Sequence, residues 1–306
     1  MQALLLDVDP DLASVLTVIA DVCSECSSML RQATAEEAGV QNESGDRQLK
    51  VDVDVDNMIF ERLRHCSAVE AASSEEQPDT VALSGRGYTV AFDPLDGSSI
   101  IGANFSVGSI FGVWPGAMLG STGRQQVAAA YAIYGPQTLL VWARPRSGVS
   151  GPLVTEEFSL GRDGTWSLVR SGLTIAPTRN VFAPANLRAA AGNTVYRELV
   201  DSWIGRNFTL RYTGGMVPDV HHILAKGGGV FCNPASKAAP AKLRLAYECA
   251  PLSFIIEAAG GLSFDGVGSV LDQKIDSVHA RSLICVGSSE LVEESKPAMR
   301  ECLDTL

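Results

Sequence analysis

The chain has 306 residues, 46% hydrophobic and 19% charged, the balance of a folded globular protein with one large or two ordinary cores. A formal net charge of −11 disfavours nucleic acid and anionic membranes as partners, and requires that an anionic substrate be drawn in by local cations. Seven scattered cysteines fit reduced thiols, no apolar run reaches membrane-spanning length, and the start lacks a basic n-region. A cytoplasmic protein is therefore expected, or a plastid one if a transit peptide has been removed.

Leu12, Val15, Leu16, Ile19, Val22, Cys26 and Met29 have the spacing of an amphipathic helix. Cys23 and Cys26 form a Cys-x-x-Cys inside it, but no second pair or nearby histidine completes a zinc site, so helix packing is the simpler reading. Residues 34–47 are polar, with Gly39, Asn42 and Gly45 as breakers, and read as a loop able to close over a site. The alternation of Val51, Val53 and Val55 with Asp52, Asp54 and Asp56 reads as a short strand that caps a helix over 58–64. A calcium loop is excluded by Asn57 and Leu63, where glycine and glutamate would be needed. After the apolar run 68–72 come Ser73, Ser74, Glu75 and Glu76; adjacent glutamates are ordinarily solvated, but a strand end can aim one at each of two positions.

The most informative stretch is Asp93-Pro94-Leu95-Asp96-Gly97-Ser98-Ser99, preceded by the strand-like Tyr88, Thr89, Val90, Ala91 and Phe92. Pro94 biases Asp93 towards extended backbone, placing two carboxylates where a strand gives way to a turn. Gly97 permits close backbone approach, and Ser98 and Ser99 add donors for a phosphoryl oxygen; hard oxygen ligands beside such donors suggest Mg²⁺-assisted phosphoryl chemistry. A strand over 107–114, a helix over 124–131, a strand over 138–143 and a hairpin turning at Asp163 and Gly164 are expected next. Turn composition around 174–180 suggests an N-terminal unit over 1–180, which holds the acidic motifs, and a C-terminal unit over 181–306. A helix over 194–204 follows, then Gly214 and Gly215 in a tight turn, with Pro218 in the first turn of a helix running to Ala225. His221 and His222 would face different sides of that helix, which excludes a metal pair. Lys242, Arg244 and Glu248 share a face if extended; if helical, Arg244 still aligns with Glu248. Pro251, as the first residue of a helix over 252–259, favours the extended form.

This ordered series resembles the fructose-1,6-bisphosphatase family over nearly the whole chain. The resemblance rests on Gly45 and Asp46 followed by Asp52, on Glu75 and Glu76, and on the 93–99 motif. It continues through 104–116, through 211–219 (Arg211 to Asp219), and through 242–248 (Lys242 to Glu248). It implies a layered α/β/α/β/α sandwich and a metal-dependent phosphoric monoester hydrolase using Mg²⁺, with Mn²⁺ as an alternative. The implied metal ligands are Glu75, Glu76, Asp93, Asp96, Glu248 and the Leu95 carbonyl. Asp46, Asp52 and Glu76 would activate water, the first two from a loop that closes over the site. Ser98 and Ser99, with Gly97, and Arg244 would hold the scissile phosphate. Asn186, Tyr212, Gly214, Gly215, Met216 and Lys242 would line the sugar and distal-phosphate pocket, and Arg211 would reach a neighbouring subunit's substrate, so a homodimer or homotetramer is implied. Thr213-Gly214-Gly215 and Asn233 depart from the fructose-type pattern and favour sedoheptulose 1,7-bisphosphate, cleaved at its 1-phosphate, over fructose 1,6-bisphosphate or a dual preference. Gly87 replaces a lysine of the family's AMP site, and residues 34–44 lack the cysteine pair of the plastid enzymes, so neither form of control is expected. The other-class alternative is a silent sugar-phosphate sensor, which would have no need to retain a full set of metal ligands.

Overall fold

The computed structural model describes residues 4–32, 37–41, 47–77 and 79–301. The helices are α1 (Pro10–Leu30), α2 (Lys50–Arg64), α3 (Ser98–Ile101), α4 (Thr194–Gly205), α5 (Met216–Lys226), α6 (Ala250–Ala258) and α7 (Ser289–Arg300). Strands β1 (Glu37–Gln41) and β2 (Arg47–Leu49) form a small antiparallel pair. The main sheet contains β3 (Val69–Ser74), β4 (Val81–Ala82), β5 (Tyr88–Asp96), β6 (Val107–Pro115), β7 (Ala128–Tyr134), β8 (Thr138–Pro145), β9 (Leu153–Leu160) and β10 (Trp166–Ser171). Its order is β10-β9-β8-β7-β6-β5-β3-β4, antiparallel except where β3 runs beside β5. A second sheet, of β11 (Val181–Pro184), β12 (Thr209–Leu210), β13 (Val230–Asn233), β14 (Leu262–Phe264) and β15 (Ile284–Gly287), has the order β12-β11-β13-β15-β14.

Period-two alternation in the strands makes three apolar layers. On β6, Phe111 and Val113 face α1 and α2, whereas Ile110 and Trp114 face α5 and α6. On the second sheet, Phe231, Ile284 and Val286 meet α5 and α6 from the other side, while Phe182, Val230 and Cys285 meet α4 and α7. The order is therefore α/β/α/β/α, with α5 and α6 sandwiched between the sheets.

Local expectations are corrected in four places. Within 34–47, backbone pairing of β1 with β2 replaces an irregular loop. The acidic alternation from Val51 is helical: α2 begins at Lys50 and buries Val51, Asp52, Val55, Asp56, Ile59 and Phe60, a face repeating every four residues that outweighs the apparent period of two. The expected helix over 124–131 is a short 3₁₀ turn followed by β7; pairing on both sides, with β6 and β8, overrides the helix propensity of its alanines. Finally, α1 does have the length and apolarity to cross a membrane, but Leu12, Val15, Leu16, Ile19 and Val22 are fully buried in the layer shared with α2 and the main sheet, as in a core helix.

Candidate active site

Strand β5 carries an irregularity that decides where its two aspartates point. Asp93 pairs with Ile110 but Asp96 pairs with Gly108, so three steps on β5 oppose two on β6. Without that extra residue Asp93 and Asp96 would lie on opposite faces; with it both share the face of Ile110, towards α5 and α6. The Leu95 amide donates to Asp93 Oδ1 at 2.9 Å, and Ser109 Oγ donates to the Pro94 carbonyl at 2.7 Å, fixing the turn. Asp96 sits on the N-terminus of α5, accepting from the amides of Met216 at 3.1 Å and Val217 at 2.6 Å. Gly97, at φ 85°, lets the chain turn into α3 and lies so near the Gly215 Cα that an added Cβ would stand 3.4 Å from it. Ser98 and Ser99 open α3, where backbone amides have no intrahelical acceptor.

Beside β5, the end of β3 is held by a buried network. Ser74 Oγ donates to Asp56 Oδ1 at 2.5 Å, Gln77 Nε2 donates to Asp56 Oδ2 at 2.7 Å, and the Glu76 amide donates to Ser74 Oγ at 3.1 Å. Ser73 Oγ and the Tyr247 hydroxyl share a 2.7 Å hydrogen bond, and the Glu75 amide donates to the Phe92 carbonyl at 3.1 Å. From the third side, Arg244 is extended and Leu245–Cys249 forms a π-helical turn leading into α6, so the extended preference holds only as far as Arg244. That turn brings Glu248 Oε2 to 2.5 Å from the Arg244 amide, which donates to it.

Three strand and turn ends thus meet: one carboxylate oxygen from each of Glu75, Asp93 and Glu248 lies within 4.8 Å of the others. Arg244 Nε is 3.8 Å from Glu75 Oε1, and its Nη1 donates to the His279 carbonyl at 3.1 Å. Burial, then repulsion by Glu75, Asp96 and Glu248, pushes Asp93 well above the usual carboxylate range. Burial and Glu75 do the same to Glu248. Asp96 is raised by burial to about 6 despite its two amide donors. Buried carboxylates packed this closely around one guanidinium carry more negative charge than the protein offsets, and the donors are hard oxygens; a divalent cation fits both facts.

A cavity of about 180 Å³ adjoins this cluster at Asp96, whose charge acts on Asp93 and Glu248; Gly214, Gly215, Met216, Tyr212, Asn186, Arg188 and Lys242 also line it. Asn186 is a left-handed residue whose amide nitrogen donates to the carbonyls of Pro234 at 2.8 Å and Ala239 at 3.1 Å, tying one wall to the next.

The two halves of the chain match the two domain families of one enzyme: the N-terminal domain of fructose-1-6-bisphosphatase over residues 2–170 and its C-terminal domain over 175–300. The chain belongs to the fructose-1,6-bisphosphatase family. Among relatives, a wheat (Triticum aestivum) chloroplastic sedoheptulose-1,7-bisphosphatase is 44% identical, the match covering 92% of this chain and 71% of that protein. A class 1 fructose-1,6-bisphosphatase of Campylobacter curvus is 36% identical over 91% of both. A Toxoplasma gondii chain solved as a candidate sedoheptulose-1,7 bisphosphatase superposes with TM-score 0.89 at 36% identity, over 95% of each chain.

Not every residue implied by the family pattern falls at this cluster. Asp46 lies outside the described residues. Asp52 belongs to the first turn of α2, buried one turn from Asp56, and not to a loop. Asp96 accepts from the α5 amides and, although its charge acts on Asp93 and Glu248, is outside the trio whose oxygens lie within 4.8 Å, while Glu76 is half-buried beside Glu75. Arg211 is exposed, lines no part of the cavity and donates to the Leu210 carbonyl at 2.7 Å, on the edge strand β12. Two residues of this family member escaped sequence reasoning. Asp56 lies within an alternation that reads as a strand, and Arg188 lies in a turn with no motif around it.

Proposed function

We propose that the chain hydrolyses the 1-phosphate of sedoheptulose 1,7-bisphosphate, giving sedoheptulose 7-phosphate and phosphate, with Mg²⁺ as the working cation and Mn²⁺ able to replace it. The observation that carries this reading is the meeting of Glu75, Asp93 and Glu248 beside Arg244, next to Asp96, which lines a cavity that Lys242 also lines. Glu75, Asp93 and Glu248, with Glu76, Asp96 and the Leu95 carbonyl as further oxygens, would hold divalent metal. When bound, that cation offsets charge on the phosphoryl oxygens and lowers the barrier to attack. The chain's own groups do the rest. Ser98 and Ser99 amides and the Arg244 guanidinium hold the scissile phosphate. Glu76 and Asp52, with Asp46, orient water and take one of its protons as its oxygen bonds to phosphorus; the P–O bond to the sugar breaks, and the departing sugar oxygen is protonated from solvent to the free hydroxyl. Met216, Gly214, Gly215, Tyr212 and Asn186 pack around the sugar, and Lys242 meets the distal phosphate.

The sedoheptulose preference draws on the name of the wheat relative, 44% identical. A dual preference has support from the fructose-type relatives, 36% identical in the first of them. The wheat relative is named as chloroplastic, which supports the plastid alternative. A homodimer or homotetramer in which Arg211 reaches a neighbour's substrate suits its place beside the exposed Leu210 and Tyr212. Phosphate release from both bisphosphates with Mg²⁺ tests the proposal. Faster turnover of the sedoheptulose ester is expected, and a strong preference for the fructose ester would overturn the order.

A further inference from the structure

We infer that Arg188 is a second cation for the distal phosphate and a determinant of substrate length, resting on the reading that a ketose bisphosphate spans this cavity. The cavity takes its lining from both sheets. Asp96, at the end of β5, lines it beside the carboxylate cluster. Arg188 belongs to the 3₁₀ turn Leu187–Ala191, which follows β11 of the second sheet and lines the same cavity as Lys242.

Its placement is built in. Asn186 enters the turn at φ 47°, anchored by its amide nitrogen to the Pro234 and Ala239 carbonyls. Ala189 is completely buried in the layer that contains α4, while its neighbour Arg188 is exposed and lines the cavity. The guanidinium lies near enough to the Tyr212 ring to act electrostatically on its hydroxyl.

Charge points the same way. Acidic residues outnumber Lys and Arg by 35 to 24, and Arg62, Arg124, Arg144, Arg170 and Arg206 are each engaged by a carboxylate. Among the described residues neither Arg188 nor Lys242 forms such an ion pair, though both line one cavity. Two cations that line one cavity without a carboxylate partner form an anion site, and a guanidinium fork matches phosphate geometry where an ammonium supplies a point charge. Arg188 is exposed on a long, flexible side chain, which suits it to a phosphate carried one carbon further out than in a hexulose.

The test is calorimetric titration of sedoheptulose 7-phosphate into the full chain with Mg²⁺, comparing unaltered protein, Arg188→Ala, Arg188→Lys and Lys242→Ala, alongside KM for both bisphosphates. Arg188→Ala is expected to weaken sedoheptulose 7-phosphate binding roughly 10- to 100-fold, the range for one charged hydrogen-bonding partner. Arg188→Lys should recover part of that loss, and KM should rise more for the 1,7-bisphosphate than for fructose 1,6-bisphosphate. If Arg188→Ala binds as tightly as the unaltered chain while that chain turns over the 1,7-bisphosphate, the Arg188 assignment alone is wrong. If the unaltered chain turns over neither bisphosphate, the substrate reading falls and takes the assignment with it.

Discussion

The Val217 amide reaches Asp96 Oδ2 at 2.6 Å because strand β6 has no side chain at position 108. A Cβ on Gly108 would stand 2.5 Å from the Val217 side chain and 2.7 Å from the Ala132 carbonyl. Gly108→Ala must therefore push the first turn of α5 away from β5. The expected result is a loss of about 1–3 kcal/mol of stability, the usual range for overpacking. A fall in kcat/KM of about 100-fold should accompany it, because displacing Asp96 and Met216 by even an ångström spoils alignment. Urea unfolding and steady-state kinetics on one preparation check both numbers, and unaltered kinetics would show that the α5 contact has no bearing on the site.

The carboxylate cluster makes a prediction of opposite sign for stability and activity. Asp93 is buried among Glu75, Asp96 and Glu248, and its Oδ1 accepts from Leu95, a bond an asparagine oxygen can keep. In chelator-treated protein Asp93→Asn removes one repelling charge, so its melting temperature should rise by a few degrees, about 2–4 °C for a change near 1 kcal/mol. Added Mg²⁺ should stabilise the unaltered chain, by about 2.7 kcal/mol at a hundredfold excess over Kd, and the variant much less. Turnover should vanish in Asp93→Asn and in Glu75→Gln, with the fold intact. Equal Mg²⁺ shifts in both proteins, read by scanning calorimetry, would separate these residues from cation binding.

How much of this was legible in the letters follows from the range of the interactions involved. The 93–99 motif shows because its chemistry is local: a proline, a glycine and two hydroxyls beside two acids. Its bulge does not, since register is set by pairing with β6, a separate part of the chain. For Asp52 and Asp56 the letters favour the wrong backbone, because alternating valine and aspartate over six residues satisfies a strand as well as a helix. What decides for α2 is the continuation to Ile59, Phe60 and Leu63 and the apolar face of α1 that receives it. The alanines of β7 likewise favour a helix locally and lose to two flanking strands. The π-helical turn at Leu245–Cys249 has no composition of its own; it exists because Glu248 must return to the Arg244 amide before α6 begins.

Asp56 is expected to act through Glu75 and Glu76, which follow Ser74 along the strand it holds. Asp56→Ala leaves Ser74 Oγ and Gln77 Nε2 without their acceptor and should lower stability by about 1–3 kcal/mol. It should also weaken Mg²⁺ binding, whereas Asp56→Asn, which keeps one acceptor oxygen, should restore part of both. Burial raises the Asp56 carboxyl, so the neutral asparagine is tolerated electrostatically. Metal titrations of the two variants decide between this positioning role and simple packing, because packing alone predicts lost stability with Mg²⁺ affinity unchanged.

The last prediction concerns acid. His221 on α5 lies beneath the main sheet, sharing a 2.9 Å hydrogen bond with the Tyr131 hydroxyl and standing 4.0 Å from Glu157, which Arg170 already engages. Burial outweighs the pull of Glu157, and Arg170 and His222 add repulsion, so the imidazole falls from 6.5 to about 4. A folded-state pKa below the unfolded one means that the unfolded chain takes up the proton first. The neutral histidine's contribution is therefore whole above pH 6.5 and is lost as pH falls towards 4. Across that window the loss amounts to about 3 kcal/mol. His221→Gln, which can still meet the Tyr131 hydroxyl, removes the titration. Its unfolding free energy should fall less steeply than that of the unaltered chain between pH 7 and pH 4, by about that amount. Parallel curves in urea titrations across the range would mean that the imidazole carries its proton inside the fold, with Glu157 compensating it.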